Sequence, residues 1–349
     1  MRKGQNPAKF VKDVPRPQRI TVALLNYIPF LRGFYAETLD VLKVCMESMR
    51  KDAGLLFDLM VFDNGSCAEV RDYLIQEKEE GRIQYLILAE KNMGKGGAWN
   101  IILAGAPGEI IAYTDSDVLF SPNWLKRSVE ILETFPNVGM VTARPFRTPP
   151  EFYESTLEWA RKNAKLEDGQ FIPWETFLEF NLSLGQTEEE NKKVYAETKD
   201  WRITYNPMSL RGVASKVPRR NNLPLNEETA SQKALAATSH EIVAFAGASH
   251  WQFTAYKSTL QEFLPFDMDK PMGQVRQLDK RMNDAGLLRL MVPDPLAMNM
   301  SNTLGYLRGE LKAQSTKRKA SFGKRVLEIG FVKKMLLAIY NKIFKWYYS

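Results

Sequence analysis

The sequence predicts an α/β fold: a Rossmann-like, mostly parallel sheet with helices on both faces, a helical and irregular insertion, and an amphipathic C-terminal helix. Three observations predict it. Strand-like and helix-like segments alternate four times between Arg19 and Ala143. Polar or Gly-rich motifs stand at the ends of three successive strands, where open α/β sheets bind their ligands. From Phe322 onward, apolar residues recur at helical spacing with lysines gathered opposite them.

Each element has its own warrant. "RITVALL" is β-branched and apolar, a buried strand, and "FYAETLDVLKVCMESM" repeats its apolar residues at helical spacing. "LLFDLMVFD" is a second strand, closed by the turn "NGS" and followed by the helix "AEVRDYLIQEKEE". The pattern repeats with "RIQYLILAE" and a helix from Lys95 to Ala104, then with "EIIAYTD" and "PNWLKRSVEILETF", where Pro122 suits a first helical turn, and closes on "NVGMVTA". Residues 148–240 break the rhythm with Pro149-Pro150, three tryptophans, the acidic helix-like "TEEENKKVYAETKDW" and the loop-like "SKVPRRNNLPLNEET". Order returns from His240, through "HEIVAFAGASHWQFTAYKSTLQEFLPF", the helix "VRQLDKRMNDAG" closed by Gly286, and the strand "LLRLMVPD".

Composition excludes several classes. A chain of 349 residues with 44% hydrophobic and 26% charged residues can build a large core and is not disordered as a whole. The two cysteines, Cys45 and Cys67, do not make a disulfide framework. No leader-like apolar segment opens the chain and no window reaches about 18 apolar residues, so a cytoplasmic protein without a spanning helix is expected. The net charge of +7 is misleading until it is located. From Arg308 to Ser349 there are 11 Lys and Arg against 2 Asp and Glu, which leaves the body at 37 against 39. The body is nearly neutral, so no nucleic-acid groove is expected.

Three motifs carry the chemistry. "VFDNGS" (Val61 to Ser66) reads alone as an Asp-Asn-Gly turn. "EKNMGKGGAWN" (Glu90 to Asn100) is a Gly-rich strand-to-helix turn; it lacks the third glycine of a dinucleotide fingerprint and the G-K-[ST] of a P-loop, yet its backbone N–H groups and Lys95 can approach an anion. "YTDSD" ends a strand on two carboxylates, Asp115 and Asp117, either as a turn or as a station for a hard divalent cation.

Taken together and in this order, the motifs resemble those of family 2 glycosyltransferases of the GT-A fold. The resemblance rests on Asp63-Asn64-Gly65-Ser66, on Asn92, Gly94, Ala98 and Asn100 in register, on Asp115-Ser116-Asp117, and on Val138 to Val141, with Gly247 and Asp267 matching further on. It implies a donor-binding subdomain at 19–147, after an N-terminal extension at 1–18. An acceptor-side subdomain would span 148–305, with the insertion at 148–240, and a basic tail 306–349. It implies a hexosyltransferase-type enzyme that uses a nucleotide-diphosphate sugar, most naturally a UDP-sugar, with Mn²⁺ or Mg²⁺. Asp63 would meet the nucleotide base, with Asn26, Asn92, Gly94, Lys95 and Asp115 around the donor. Asp115 and Asp117 would hold the metal. Gly247, His250 and Trp251 would face the sugar or acceptor, and the Trp251 ring could stack on a sugar.

The fit fails at the general base. Where inverting members place an acidic residue, this chain has Gln274 and Val275. The nearby carboxylates are Asp269, placed first, Asp267, and Asp279, the last of which could equally make surface ion pairs. A histidine ligand expected after the next strand is also missing, with Asn299 or Asn302 in its place. The acceptor, whether glycan, lipid or protein, is left open. The tail, with a wide apolar face and a lysine-rich one, describes a helix on an anionic membrane surface, which would make the protein peripheral on the cytoplasmic face. A non-catalytic sugar-nucleotide-binding scaffold of the same fold is the alternative; a nucleotidyltransferase would need a Gly-rich signature after the first strand, where "LLNYIPFLRGF" offers none.

Overall fold

In the computed structural model, residues 7–11, 13–184, 186–207, 241–268, 273–305 and 307–308 are described. The first half alternates as its pattern requires: β1 (Ile20–Asn26), α1 (Thr38–Arg50), β2 (Asp58–Asp63), α2 (Ala68–Glu79), β3 (Tyr85–Leu88), α3 (Gly94–Gly105), β4 (Ile110–Asp115), β5 (Val118–Phe120), α4 (Trp124–Thr134) and β6 (Val138–Thr142). Helix α1 buries Val41, Leu42, Cys45, Met46 and Met49, one face of a 3.6-residue repeat. Helix α4 starts two residues after Pro122. Asn123 takes a left-handed φ of 64° there, and its N–H donates to Asp52 O at 2.6 Å, so the chain turns before the helix begins.

The second half continues with α5 (Glu154–Asn163), β7 (Lys165–Gly169), α6 (Trp174–Ser183), α7 (Glu188–Glu197) and β8 (Asp200–Tyr205). After these come β9 (Ile242–Ala246), β10 (Gln252–Tyr256), α8 (Lys257–Gln261), α9 (Gly273–Asp284), β11 (Leu288–Met291) and β12 (Ala297–Asn299). Ten strands form one sheet in the order β3-β2-β1-β4-β10-β6-β11-β9-β8-β7, and β5 pairs with β12 in a separate ribbon. Seven of the ten point the same way, while β7, β9 and β10 are reversed. The expected mostly parallel sheet is therefore present, with antiparallel strands spliced into it.

Side chains alternate across this sheet, so each face has its own core. Val22, Leu24, Ile110 and Ala112 pack with α1 and α4 on one face; Ala23, Met60, Phe62, Ile111 and Tyr113 pack with Trp99 of α3 and Leu278 and Met282 of α9 on the other. The insertion is more regular than its sequence suggests. Helix α7 starts with a capping box in which Thr187 and Glu190 satisfy each other's orphan donors, and β7 and β8 extend the main sheet. Strand β7, "KLEDG", is too polar to be read as a strand; it sits at the sheet edge, where both faces need not be apolar. "SKVPRRNNLPLNEET", His240 and the tail helix lie outside the described residues.

Candidate functional site

The site gathers at the C-terminal ends of β1, β2 and β4. Asn26 ends β1 fully buried, and its Nδ2 donates to Asp63 Oδ1 at 2.9 Å and to Ser66 Oγ at 3.1 Å. Ser66 N returns a bond to Asp63 Oδ2 at 3.0 Å. Asp63 is thus enclosed and doubly bonded: its carboxylate ties the β2 turn to β1. At this corner Asn26 Oδ1 is a buried acceptor with no partner among the described residues.

The first and second motifs are stitched together through Asn64. Its Nδ2 donates to Asn92 Oδ1 at 2.9 Å and its Oδ1 accepts from Met93 N at 3.0 Å, while Asn92 Oδ1 also accepts from Gly94 N at 2.7 Å. Gly65, between them, has φ +85°, and a Cβ there would lie 2.9 Å from Asn92 N. The glycine is required twice, by its dihedral and by the approach of the neighbouring backbone. Asn92 therefore orders the loop that opens α3, and so aims Lys95 inward.

Lys95 meets Asp115. Its Nζ lies 2.8 Å from both carboxylate oxygens, and Tyr113 OH donates to Asp115 Oδ1 at 2.5 Å. The ammonium also sits over the rings of Trp99, at 5.3 Å, and Tyr113, at 5.5 Å. Burial, reinforced by Asp115, pushes the Tyr113 hydroxyl well above its usual range, so it stays a donor. Tyr113 was not singled out from the sequence, although the period of two along a strand puts it on the face of Asp115.

Asp117 differs from Asp115 in making no ion pair among the described residues. Its Oδ1 is buried without a hydrogen-bond partner among the described residues, and its Oδ2 accepts from Asn299 Nδ2 at 3.4 Å. Burial, then the neighbouring Asp115, raises its carboxyl to about 7. Asn299 is placed by the β5–β12 ribbon, in register with Val118. Of the two asparagines standing where a histidine was expected, it alone contacts the carboxylate; Asn302 donates to Phe34 O at 2.7 Å instead. Among the described residues no three His, Cys, Asp or Glu side chains come together as a metal cluster. The donor set that fits a hard cation is one free carboxylate, Asp117, and a second, Asp115, already neutralised.

Reversed strand β10 brings the downstream residues here. Trp251 O accepts from Asp115 N at 2.8 Å, which sets His250 beside the Lys95–Asp115 pair. Burial, then Lys95, lowers the His250 imidazole to about 4, so it is neutral at physiological pH. Trp251 is not a platform for a sugar: its ring is buried, stacked on Phe180 at 5.9 Å and packed on Phe146 at 6.3 Å. Gly247, with φ +124°, donates its N–H to Arg289 O at 2.9 Å and leaves no room for a Cβ beside Thr148 Oγ1.

Of the candidate bases, Asp269 lies outside the described residues. Asp267 is exposed at the end of a segment held on α3, where Asn100 bonds both the N–H and the carbonyl of Phe266. Asp279 does not make the surface ion pair weighed for it. It is buried on α9 and pairs with buried Arg289 at 2.5 Å, and that guanidinium also donates to Ala248 O at 2.9 Å and Phe152 O at 2.6 Å. Sequence reading missed Arg289 because "LLRLMV" looks like an ordinary apolar strand; the one charge in it was the signal.

The site is thus a strand-end cluster of carboxylates with an inward lysine and a Gly-rich helix start on an α/β sheet. Comparison with known proteins bears on the resemblance over part of the chain. Residues 33–188 match the model of glycosyl transferase family 2, so the resemblance read from the motifs holds over that segment. The uncharacterized glycosyltransferase alr2836 of Nostoc sp. is 33% identical over 84 residues, 24% of this chain and 26% of that one. The chain thus matches about a quarter of that relative's length. Among solved structures, GalNAc-T7 with UDP, GalNAc and Mn²⁺ aligns at a TM-score of 0.42 with 12% identity, over 79% of this chain and 43% of that one. S. aureus TarS 1–349 in complex with UDP aligns at 0.41 with 12% identity, over 80% and 59%.

Proposed function

We propose that the protein is a glycosyltransferase that moves a sugar from a nucleotide-diphosphate sugar, a UDP-sugar first among them, to an acceptor bound on the side of 148–305. The observation that carries this reading is the unequal pair at the end of β4: Asp115 is satisfied by Lys95 and Tyr113, whereas Asp117 keeps a buried oxygen without a partner among the described residues. A divalent cation would be held by Asp117, with Asn299 beside it and Asp115 next in line. Bound there, it would neutralise the diphosphate that leaves with the nucleotide. Lys95 would orient the same phosphates at the start of α3. Asp63, with Asn26 beside it, would meet the base at this corner, where Asn26 Oδ1 has no partner among the described residues. His250, neutral, would lie on the sugar side, and Asp267 or Asp269 would accept the acceptor proton in an inverting transfer.

The test is turnover of UDP-, GDP- and TDP-sugars with Mn²⁺, which Asp117→Ala should abolish. The scaffold reading is favoured by Gln274 and Val275 at the start of α9 and by the locking of Asp279 onto Arg289. It would be supported by metal-dependent nucleotide binding without turnover on any acceptor. We also assign the tail to an anionic membrane surface, on its charge and apolar pattern. Among the described residues no helix is long and apolar enough to cross a membrane. Deleting 320–349 is expected to release the protein from anionic liposomes; unchanged binding would remove that assignment.

A further inference from the structure

The proposed metal station has a feature that its motif does not explain. The first carboxylate of the Asp115-Ser116-Asp117 motif is occupied by a cation of the chain itself. Lys95 contacts both Asp115 oxygens at 2.8 Å, its side chain is only 11% exposed, and Trp99 and Tyr113 present their rings to the ammonium. Tyr113 OH takes a further position on Oδ1. The backbone around the carboxylate is fixed as well: Asp115 N donates to Trp251 O at 2.8 Å, and Asp115 O accepts from Thr114 Oγ1 at 2.8 Å. Lys95 has the longest stem in the cluster, an ammonium on four carbons at the first turn of a helix.

We propose that Lys95 is an internal lock on Asp115: it excludes a divalent cation from that carboxylate until a nucleotide diphosphate offers the ammonium a better anion. Lys95 then turns from Asp115 to the phosphates, and Asp115 joins Asp117 as a ligand. A divalent cation arriving at Asp115 would be repelled by the ammonium already held there, and in a partly buried site that repulsion is weakly screened. Metal and nucleotide therefore bind as a pair, and the metal alone binds poorly. The reading rests on the assignment of Asp117 to a divalent cation. It goes beyond it by naming the residue that makes occupancy conditional.

The measurement is Mn²⁺ binding to the full chain, by electron paramagnetic resonance of free Mn²⁺, with and without UDP. Wild type is expected to bind Mn²⁺ weakly alone, and at least about tenfold more tightly with UDP present. Lys95→Met keeps the stem against Trp99 but removes the charge. It should bind Mn²⁺ alone at least about tenfold more tightly than wild type and gain less from UDP. Lys95→Arg keeps the charge and should stay as weak as wild type, which separates charge from any change of packing. Thermal unfolding of each variant reports whether it is folded. Equal Mn²⁺ affinity of wild type and Lys95→Met, or tight binding by Lys95→Arg, overturns the lock while leaving the metal assignment in place. If Asp117→Asn in the Lys95→Met background leaves Mn²⁺ binding unchanged, the cation is held elsewhere, and both the lock and the metal assignment fall.

Discussion

Asp279 and Arg289 make the sharpest quantitative case. Their side chains are 9% and 1% exposed and meet at 2.5 Å. Burial raises the Asp279 carboxyl and lowers the Arg289 guanidinium, so both partners are pushed toward neutrality and their attraction only partly offsets the loss of water. Asp279→Asn leaves the guanidinium buried without its counter-charge and should cost about 3–5 kcal/mol in urea unfolding. Arg289→Met costs a similar amount, because it strands Asp279 and removes the donors to Ala248 O and Phe152 O. The double variant Asp279→Asn with Arg289→Met leaves no buried charge unpaired and retains mainly the loss of those two carbonyl partners, about 2–4 kcal/mol. The cycle should therefore show a coupling of at least about 2 kcal/mol. A cost below about 1 kcal/mol for Asp279→Asn would mean the pair is hydrated, and the argument would be wrong.

Other expectations follow from single sites. Gly65→Ala forces a side chain into φ +85° against Asn92 N; it should lose about 2 kcal/mol or more and weaken UDP binding in calorimetry, through the displaced Asn64–Asn92 junction. Trp251→Ala should destabilise by about 3–5 kcal/mol, as for any buried indole, whereas Trp251→Phe should keep donor KM near wild type; a large rise in KM for Trp251→Phe would restore the sugar platform. Glu77 is buried between Arg50 and Arg82; burial alone would raise it, but the two guanidinium groups hold its carboxyl below the usual 4.5. Its stabilisation is present above that value and is lost as pH falls through the lower folded value. The cost of Glu77→Gln, about 1–3 kcal/mol at pH 7, should accordingly shrink in unfolding measured on the acid side.

The sequence made the donor-side strands legible because each is a compact apolar run ending on a turn signal; Asn26, Asp63, Asn92 and Asp115 do fall at neighbouring strand ends. What it could not supply was partnership. Nothing local says that Asp63 spends its lone pairs on Asn26 and Ser66, or that Asp115 is claimed by Lys95 from 20 residues upstream. Apolar pattern misjudged Asp279, because a carboxylate on an otherwise polar helix reads as solvated unless the buried arginine opposite is known. It also passed over β7, whose charges are tolerable only at a sheet edge. Asp269 and the tail helix fall outside the described residues.

Strand β10 carries one more implication, for the order in which the chain becomes whole. It lies between β4 and β6, pairing Thr254 with both Ala112 and Val141. A polypeptide released at residue 147 would hold β4 and β6 one strand apart, each with a bare, apolar hydrogen-bonding edge. On the ribosome, the motif segment would have to wait through more than a hundred further residues before its sheet closed. The first half of this protein is thus a pattern recognisable on its own but not a module that can be cut out, and attempts to express it alone are expected to give aggregating material.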